Sequence, residues 1–236
     1  AVTGTAGKTT VTTLVGQVFD KTFDQAVVCG NIGNPWIGEL ERMKPSDIVV
    51  LELSSFQLAH CVHFRPRVGV LLNLAENHQD WHPTMDHYTA CKLNLFRAQE
   101  PGDLALLRAA DRKKYFPDFQ FRATVAYFDQ APYKDLNPNE AAVRAVAGYF
   151  KVPSKIVNEV LDSFQGIEHR LEKFLTRADV HYVNDSKCTT TASLLWALGK
   201  LRDKSVILLA GGHPKSDDFH AARKLVEQKV RTAILI

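Results

Sequence analysis

The chain has 236 residues, 45% hydrophobic and 23% charged, which suits one large or two smaller globular domains and excludes a disordered or fibrous chain. Its 29 basic and 26 acidic residues leave a net charge of +3 with the basic residues dispersed, which argues against nucleic acid or a membrane surface as partner. Four cysteines (Cys29, Cys61, Cys91, Cys188) lack zinc-knuckle or disulfide-framework spacing, and neither a signal peptide nor a bilayer-length apolar run is present, so a reducing, cytoplasmic setting is expected.

The first segment, "TGTAGKTT" at 3–10, sets two glycines and a lysine ahead of an amphipathic stretch predicted helical over 8–19. Glycine lets backbone N–H groups converge on an anion, and the positive end of a helix adds to the attraction. The strict phosphate-loop spacing is not met, because Val2 stands where the first glycine belongs. In the shorter spacing Gly4, Thr5, Ala6, Gly7, Lys8, Thr9, Lys8 can reach phosphates and Thr9 can hold Mg²⁺, with Thr10 beside it. A plain glycine turn with a solvated lysine is the competing account.

Strands are predicted at "AVVC" (26–29) and "DIVVLEL" (47–53), and the second delivers Glu52 at a core edge, where a charge needs a cation or donor. A third strand, "RVGVLLN" (67–73), ends at Asn73 and runs into "LAENHQDWH", which places Glu76, His78, Asp80 and His82 within seven residues. Singly, a loop histidine is most often a surface or capping residue. Together with Lys8 these groups suggest an ATP·Mg²⁺ corner.

A helix over 86–98 is followed by 100–138, rich in Pro, Asp and Lys and read as a loop-rich or excursion region, and then by helices at 139–151 and 154–164. A joint is expected near Gly166. Beyond it come strand 180–184, helix 190–201, strand 205–212, helix 217–229 and strand 232–236, without internal repeats. This alternation predicts an α/β fold: a P-loop-type parallel sheet domain over 1–166 and a partial Rossmann-like α/β domain over 167–236. Opening directly on the turn and closing on a strand, the chain reads as a fragment.

The motifs "TGTAGKTT", "GNIGNP", "LELSSFQL", "LNLAENHQDWH", "CKLNLF", "EHRLE", "NDSKCTT" and "GGHPKSDDF" stand in the order found in the Mur ligases, and the chain resembles that family from end to end. Within it, "LELSSFQL" together with "NDSK" is similar to the members that add D-glutamate. The resemblance implies ATP-dependent ligation of D-glutamate to UDP-N-acetylmuramoyl-L-alanine, in peptidoglycan precursor synthesis. It also implies small-molecule partners only, with no nucleic acid, no membrane insertion and a monomeric state.

By motif, the resemblance gives Lys8 and Thr9 the phosphate and Mg²⁺ roles, with Gly4, Thr5, Gly7 and Thr10 shaping the loop. Glu52 and His78 match metal ligands, and Asn31, Ser54 and Gln57 match contacts to the muramoyl-alanine substrate. Lys92 matches a lysine carried as a carbamate that helps hold a second Mg²⁺, although "TACKLNLF" alone reads as a helix surface. Asn139 matches an adenine contact, and Arg170 and Asp185 match further nucleotide contacts. Lys187, Thr189 and Lys215 match the D-glutamate side, while local pattern reads Thr189 as a helix N-cap.

Departures from the family pattern are Ala6 for asparagine, Asn77 for aspartate, Thr190 for asparagine, and "YKDLNPN" in place of a Gly-x-His-Asn turn before Asn139. Two other functions remain open: a Mur-like nucleotide-binding module without ligase chemistry, and a sibling ligase adding a different amino acid.

Overall fold

A computed structural model describes residues 1–78, 81–212 and 219–236, with nothing said of the Ala192 side chain. The chain divides into two compact units, Ala1–Gln165 and Gly166–Ile236.

The first unit is built on six strands: β1 Val2–Thr3, β2 Ala26–Gly30, β3 Ile48–Glu52, β4 Val68–Leu71, β5 Leu104–Leu107 and β6 Thr124–Tyr127. They lie in the order β2-β3-β1-β4-β5-β6, and every pairing is parallel. All carboxyl ends therefore reach one edge, with β1 between β3 and β4 at the point where chain order reverses.

The strands are continuous apolar runs because both sheet faces are covered, and successive side chains point to opposite faces. Val50, Val70 and Leu106 enter one core; their neighbours Leu51, Leu71 and Leu107 enter the other. Helices α1 (Lys8–Asp20), α5 (Pro138–Tyr149) and α6 (Ser154–Ser163) supply the first core with Val11, Leu14, Val15, Val18, Val146 and Val157. The spacing 11, 14, 15, 18 is the helical period that buries one stripe. Helices α2 (Ser55–Ala59) and α3 (Met85–Arg97) supply the second with Leu58, Tyr88, Leu95 and Phe96. Each such fully buried large side chain contributes about 1.5–3 kcal/mol. Thr84 caps α3 and Asn137 caps α5, where Pro138 occupies the first turn.

Residues 100–138 are more regular than the loop-rich region expected. "LALL" forms β5 with all four residues buried, followed by α4 (Ala109–Tyr115) and β6. A strand buried on both faces shows neither alternation nor helical period, so its Pro- and Asp-rich flanks dominated the pattern.

The second unit holds an antiparallel hairpin, β7 (Glu172–Arg177) with β8 (Val180–Asn184), and a parallel pair, β9 (Val206–Ala210) with β10 (Val230–Leu235). Helices α7 (Thr191–Gly199) and α8 (Arg223–Lys229) accompany them. β7 escaped prediction because "EKFLTR" mixes charged and apolar residues on a largely exposed strand. Among the described residues no helix is long and apolar enough to cross a membrane, and all four cysteines are free thiols.

Candidate functional site

β1 stops after two residues because Gly4 (φ 152°) turns the chain where an added Cβ would lie 3.0 Å from Leu72 Cβ. Gly7 ends the turn at φ 83°, in the left-handed region, and is the N-cap of α1 with no side-chain acceptor to cover the first-turn N–H groups. Those groups and the helix dipole suit an anion. The strand next door fixes the loop. Thr5 N–H donates to Asn73 O (3.0 Å), Ala6 N–H donates to Asn73 Oδ1 (2.8 Å), and Asn73 Nδ2 donates back to Ala6 O (3.0 Å). Thr5 Oγ1 accepts from Ala75 N–H (3.0 Å) and lies 3.0 Å from the Tyr88 hydroxyl.

Asn139, in the first turn of α5, packs on this loop: a Cβ built at Gly7 would lie 2.5 Å from Asn139 Oδ1. Gly7→Ala is therefore expected to cost about 1–3 kcal/mol through strain alone. A urea midpoint equal to that of the parent would show the turn to be relaxed.

Two lysines converge on one carbonyl. Lys8 Nζ donates to Gly4 O (3.1 Å) and Thr5 O (3.3 Å); Lys92 Nζ donates to the same Gly4 O (3.0 Å) and to Thr3 Oγ1 (3.3 Å). Lys92 is 1% exposed and sits 4.7 Å from the Tyr88 ring centroid. Burial first, and the neighbouring Lys8 charge second, hold its pKa well below the ordinary lysine value. Sequence pattern treated Lys92 as a surface residue; it is among the most enclosed side chains of the unit.

Glu52 closes β3 and is buried, with Oε1 accepting from Asn31 Nδ2 at 2.9 Å. Its Oε2 is buried without a hydrogen-bond partner, a costly state for a carboxylate oxygen that a cation would relieve. Asn31 N–H also donates to Glu52 O (2.9 Å), which ties the exit of β2 to that of β3. His78 adopts φ 56°, its N–H donating to Asn77 Oδ1 (2.9 Å) and its ring meeting Phe56 edge-on with centroids 4.9 Å apart.

A cleft of about 170 Å³ is lined by Lys8, Asn31, Ser54, His78, Tyr88 and Lys92 among others. Thr9 and Thr10 follow Lys8 in the first turn of α1. Ser54 and Gln57 form the capping box of α2: Ser54 Oγ accepts from Gln57 N–H (3.2 Å), while Gln57 Oε1 accepts from Ser54 N–H (2.9 Å). A larger cavity, about 310 Å³, is lined by Val15, Phe19, Trp36 and Val50 among others. Its lining is mainly apolar, with Arg65 and Arg67 the charged side chains on it, whereas the smaller cleft gathers lysines, an asparagine, a serine and a histidine and is the candidate.

The expected acidic and imidazole corner is only partly assembled. Asp80 lies outside the described residues. His82 is 1% exposed and turned into an aromatic box, its Nε2 2.8 Å from Ser55 Oγ and its ring stacked on Phe56 at 5.5 Å. Packing against Phe56, Trp81 and Tyr88 outweighs the polar role that its place in the loop suggested. Thr3 and Tyr88 are site-building residues that sequence reasoning missed, while Asn73, two residues past β4, was marked as a strand end but not given its role in pinning the loop.

In the second unit, Asp185 Oδ1 accepts from Leu171 N–H (3.0 Å), and Lys187 N–H donates to His169 O (3.2 Å). Arg170, Lys187 and Thr189 are exposed. The N-cap of α7 is Thr190, whose Oγ1 accepts from Ser193 N–H (3.2 Å), rather than Thr189, because the helix begins one residue later than the pattern indicated. Lys215 lies outside the described residues.

Residues 2–160 match the model of the Mur ligase middle domain. The chain is 35% identical over 270 residues to the UDP-N-acetylmuramoylalanine–D-glutamate ligase of Pelotomaculum thermopropionicum, covering 100% of this chain and 59% of the relative. It is 38% identical over 242 residues to the enzyme of that name from Nitratidesulfovibrio vulgaris, covering 100% of this chain and 56% of the relative. The chain thus spans less than two thirds of these relatives. The fold is similar to MurF from Acinetobacter baumannii (TM-score 0.75, 17% identity, 99% of this chain and 62% of that one). It is also similar to the MurF ligase of Thermotoga maritima solved with ADP (TM-score 0.73, 17% identity, 99% of this chain and 69% of that one).

Proposed function

The chain belongs to the Mur ligase family, and on that footing we propose that it is the ATP-binding and partial acceptor-binding portion of a ligase joining D-glutamate to UDP-N-acetylmuramoyl-L-alanine. The observation that carries the proposal is one cleft at the sheet's carboxyl edge holding Lys8, Asn31, His78 and Lys92. Beside it, Glu52, bonded to Asn31, keeps a buried oxygen unpartnered.

In this proposal the unit before the joint, 1–166, takes ATP and the unit after it, 167–236, takes the amino-acid acceptor. The muramoyl-alanine carboxylate attacks the γ-phosphorus, ADP leaves, and an acyl phosphate forms. The amine of D-glutamate then adds to the acyl carbon and phosphate leaves, with one amine proton lost to solvent. Phosphorylation is needed because a carboxylate is a poor electrophile. Lys8 exchanges its contacts with Gly4 O and Thr5 O for phosphate oxygens. Gly4, Thr5, Gly7, Thr9 and Thr10 shape and line the turn around those oxygens. Asn31, Ser54 and Gln57 orient the muramoyl-alanine end; Asn139, Arg170 and Asp185 hold the nucleoside; Lys187, Thr189 and Lys215 meet the carboxylates of D-glutamate.

Glu52, His78 and Thr9 are the groups that would hold Mg²⁺, hard oxygen donors with one imidazole, and the orphaned Glu52 oxygen fits such a cation. Bound there, Mg²⁺ would screen the repulsion between phosphate and carboxylate. Lys92, whose charged form burial disfavours, is the amine that CO₂ would convert to a carbamate, giving oxygen donors toward a second Mg²⁺. The protein is proposed to act as a cytoplasmic monomer on small molecules.

With the full-length protein, phosphate release from ATP is expected only when the muramoyl-alanine substrate and D-glutamate are present together. An amino-acid panel tests this. Stimulation by L-lysine or diaminopimelate would reassign the acceptor, and nucleotide binding without turnover would reduce the protein to a binding module.

A further inference from the structure

We propose that His82, His87 and Cys91 form a site for a soft divalent cation of the Zn²⁺ class, built on α3 behind the nucleotide cleft and using none of the residues assigned to Mg²⁺. Each of the three offers one ligand atom, and these atoms lie within 4.8 Å of one another. His87 and Cys91 are four residues apart on α3, hence on one face. His82 N–H donates to His78 O (2.8 Å), and its ring centroid lies 5.1 Å from that of His87.

The surrounding bonds orient the donors. When His82 Nε2–H donates to Ser55 Oγ (2.8 Å), the Nδ1 lone pair faces His87 Nδ1 at 3.1 Å. Metal-binding histidines are typically held this way, one ring nitrogen anchored and the other presented. Zinc bonds of about 2.0–2.1 Å to nitrogen and 2.3 Å to sulfur put tetrahedral donors roughly 3.3–3.6 Å apart. His87 faces its two neighbours with different nitrogens, Nδ1 at 3.1 Å from His82 Nδ1 and Nε2 at 3.8 Å from Cys91 Sγ; a set with one atom from each residue lies within 4.8 Å, so binding would require the exposed His87 ring to turn and the donors to close in. Imidazole and thiolate donors favour Zn²⁺ or Co²⁺ over Mg²⁺. Cys91 would give up its thiol proton to solvent on binding, and a fourth position remains for water.

Occupation would brace the cleft from behind. His82 bonds Ser55, the first residue of α2, and its ring lies edge-on to Tyr88, whose hydroxyl reaches Thr5 of the loop.

The test is titration of the full-length protein with Co²⁺ in excess Mg²⁺, followed by Zn²⁺. About one equivalent of Co²⁺ should bind with thiolate-to-cobalt charge-transfer absorption, be displaced by Zn²⁺, and raise the melting temperature. Cys91→Ser should erase the band and the melting shift, and His87→Ala should weaken binding at least tenfold. Both variants should melt like the parent in chelator, which separates lost binding from lost folding. Absence of the band in the parent, or its persistence in Cys91→Ser, would overturn the site and leave the three side chains as packing. Neither result bears on ATP turnover, so the ligase proposal is tested separately.

Discussion

Lys8→Ala in the full-length protein is expected to lower substrate-dependent phosphate release by roughly 10²–10³-fold, the scale of losing one preorganised electrostatic contact to a transferring group. Stability should move by about 1 kcal/mol, the scale of the hydrogen bonds that the half-buried side chain donates to Gly4 O and Thr5 O. Melting curves together with a phosphate-release assay separate the two effects. Near-parental turnover would return Lys8 to the status of a solvated turn residue. A joint loss of folding and activity would assign it to the loop's architecture instead of to phosphate.

A second large effect is expected at Lys92. Its ammonium form is disfavoured by burial and then by Lys8, which favours the free amine that attacks CO₂, releasing one proton as the carbamate forms. The sign follows from the lowered pKa. Protonation as pH falls removes the nucleophilic amine, so carbamate and activity are lost together on the acid side. For folding, a lysine depressed in the native state favours the unfolded chain below its ordinary pKa of about 10.4. Lys92→Met should therefore melt no earlier than the parent at neutral pH while losing roughly 10²-fold or more in turnover. Small carboxylates should restore part of the activity of Lys92→Ala, and stripping CO₂ should slow the parent but not the rescued variant. Insensitivity of the parent to CO₂ would remove the carbamate from the mechanism.

Much of the site was legible because a parallel sheet delivers ligands at strand ends, and the ends of β1, β3 and β4 carry unusual residues: glycines before a lysine, a glutamate in an apolar run, an asparagine. Other features depended on three-dimensional context. β5 has no period to detect when both faces are covered, and α2 is a single turn nucleated by the Ser54–Gln57 capping box rather than by an amphipathic run. Lys92 occupies a position on α3 that pattern assigns to solvent, yet the helix is also covered there by β1 and its loop; only family resemblance singled it out. His82 shows the opposite error. Its loop neighbours suggested metal chemistry at the nucleotide, whereas three aromatic neighbours draw it into the core.

The pairing of Asn73 with both the N–H and the C=O of Ala6 has a kinetic consequence. A glycine-rich turn left to itself would sample many shapes and surrender that freedom each time a ligand arrived. Here the surrender happens during folding, so little of the affinity for an anion is consumed in ordering its receptor. Capture can then be rapid, and release is governed by the contacts to the anion itself.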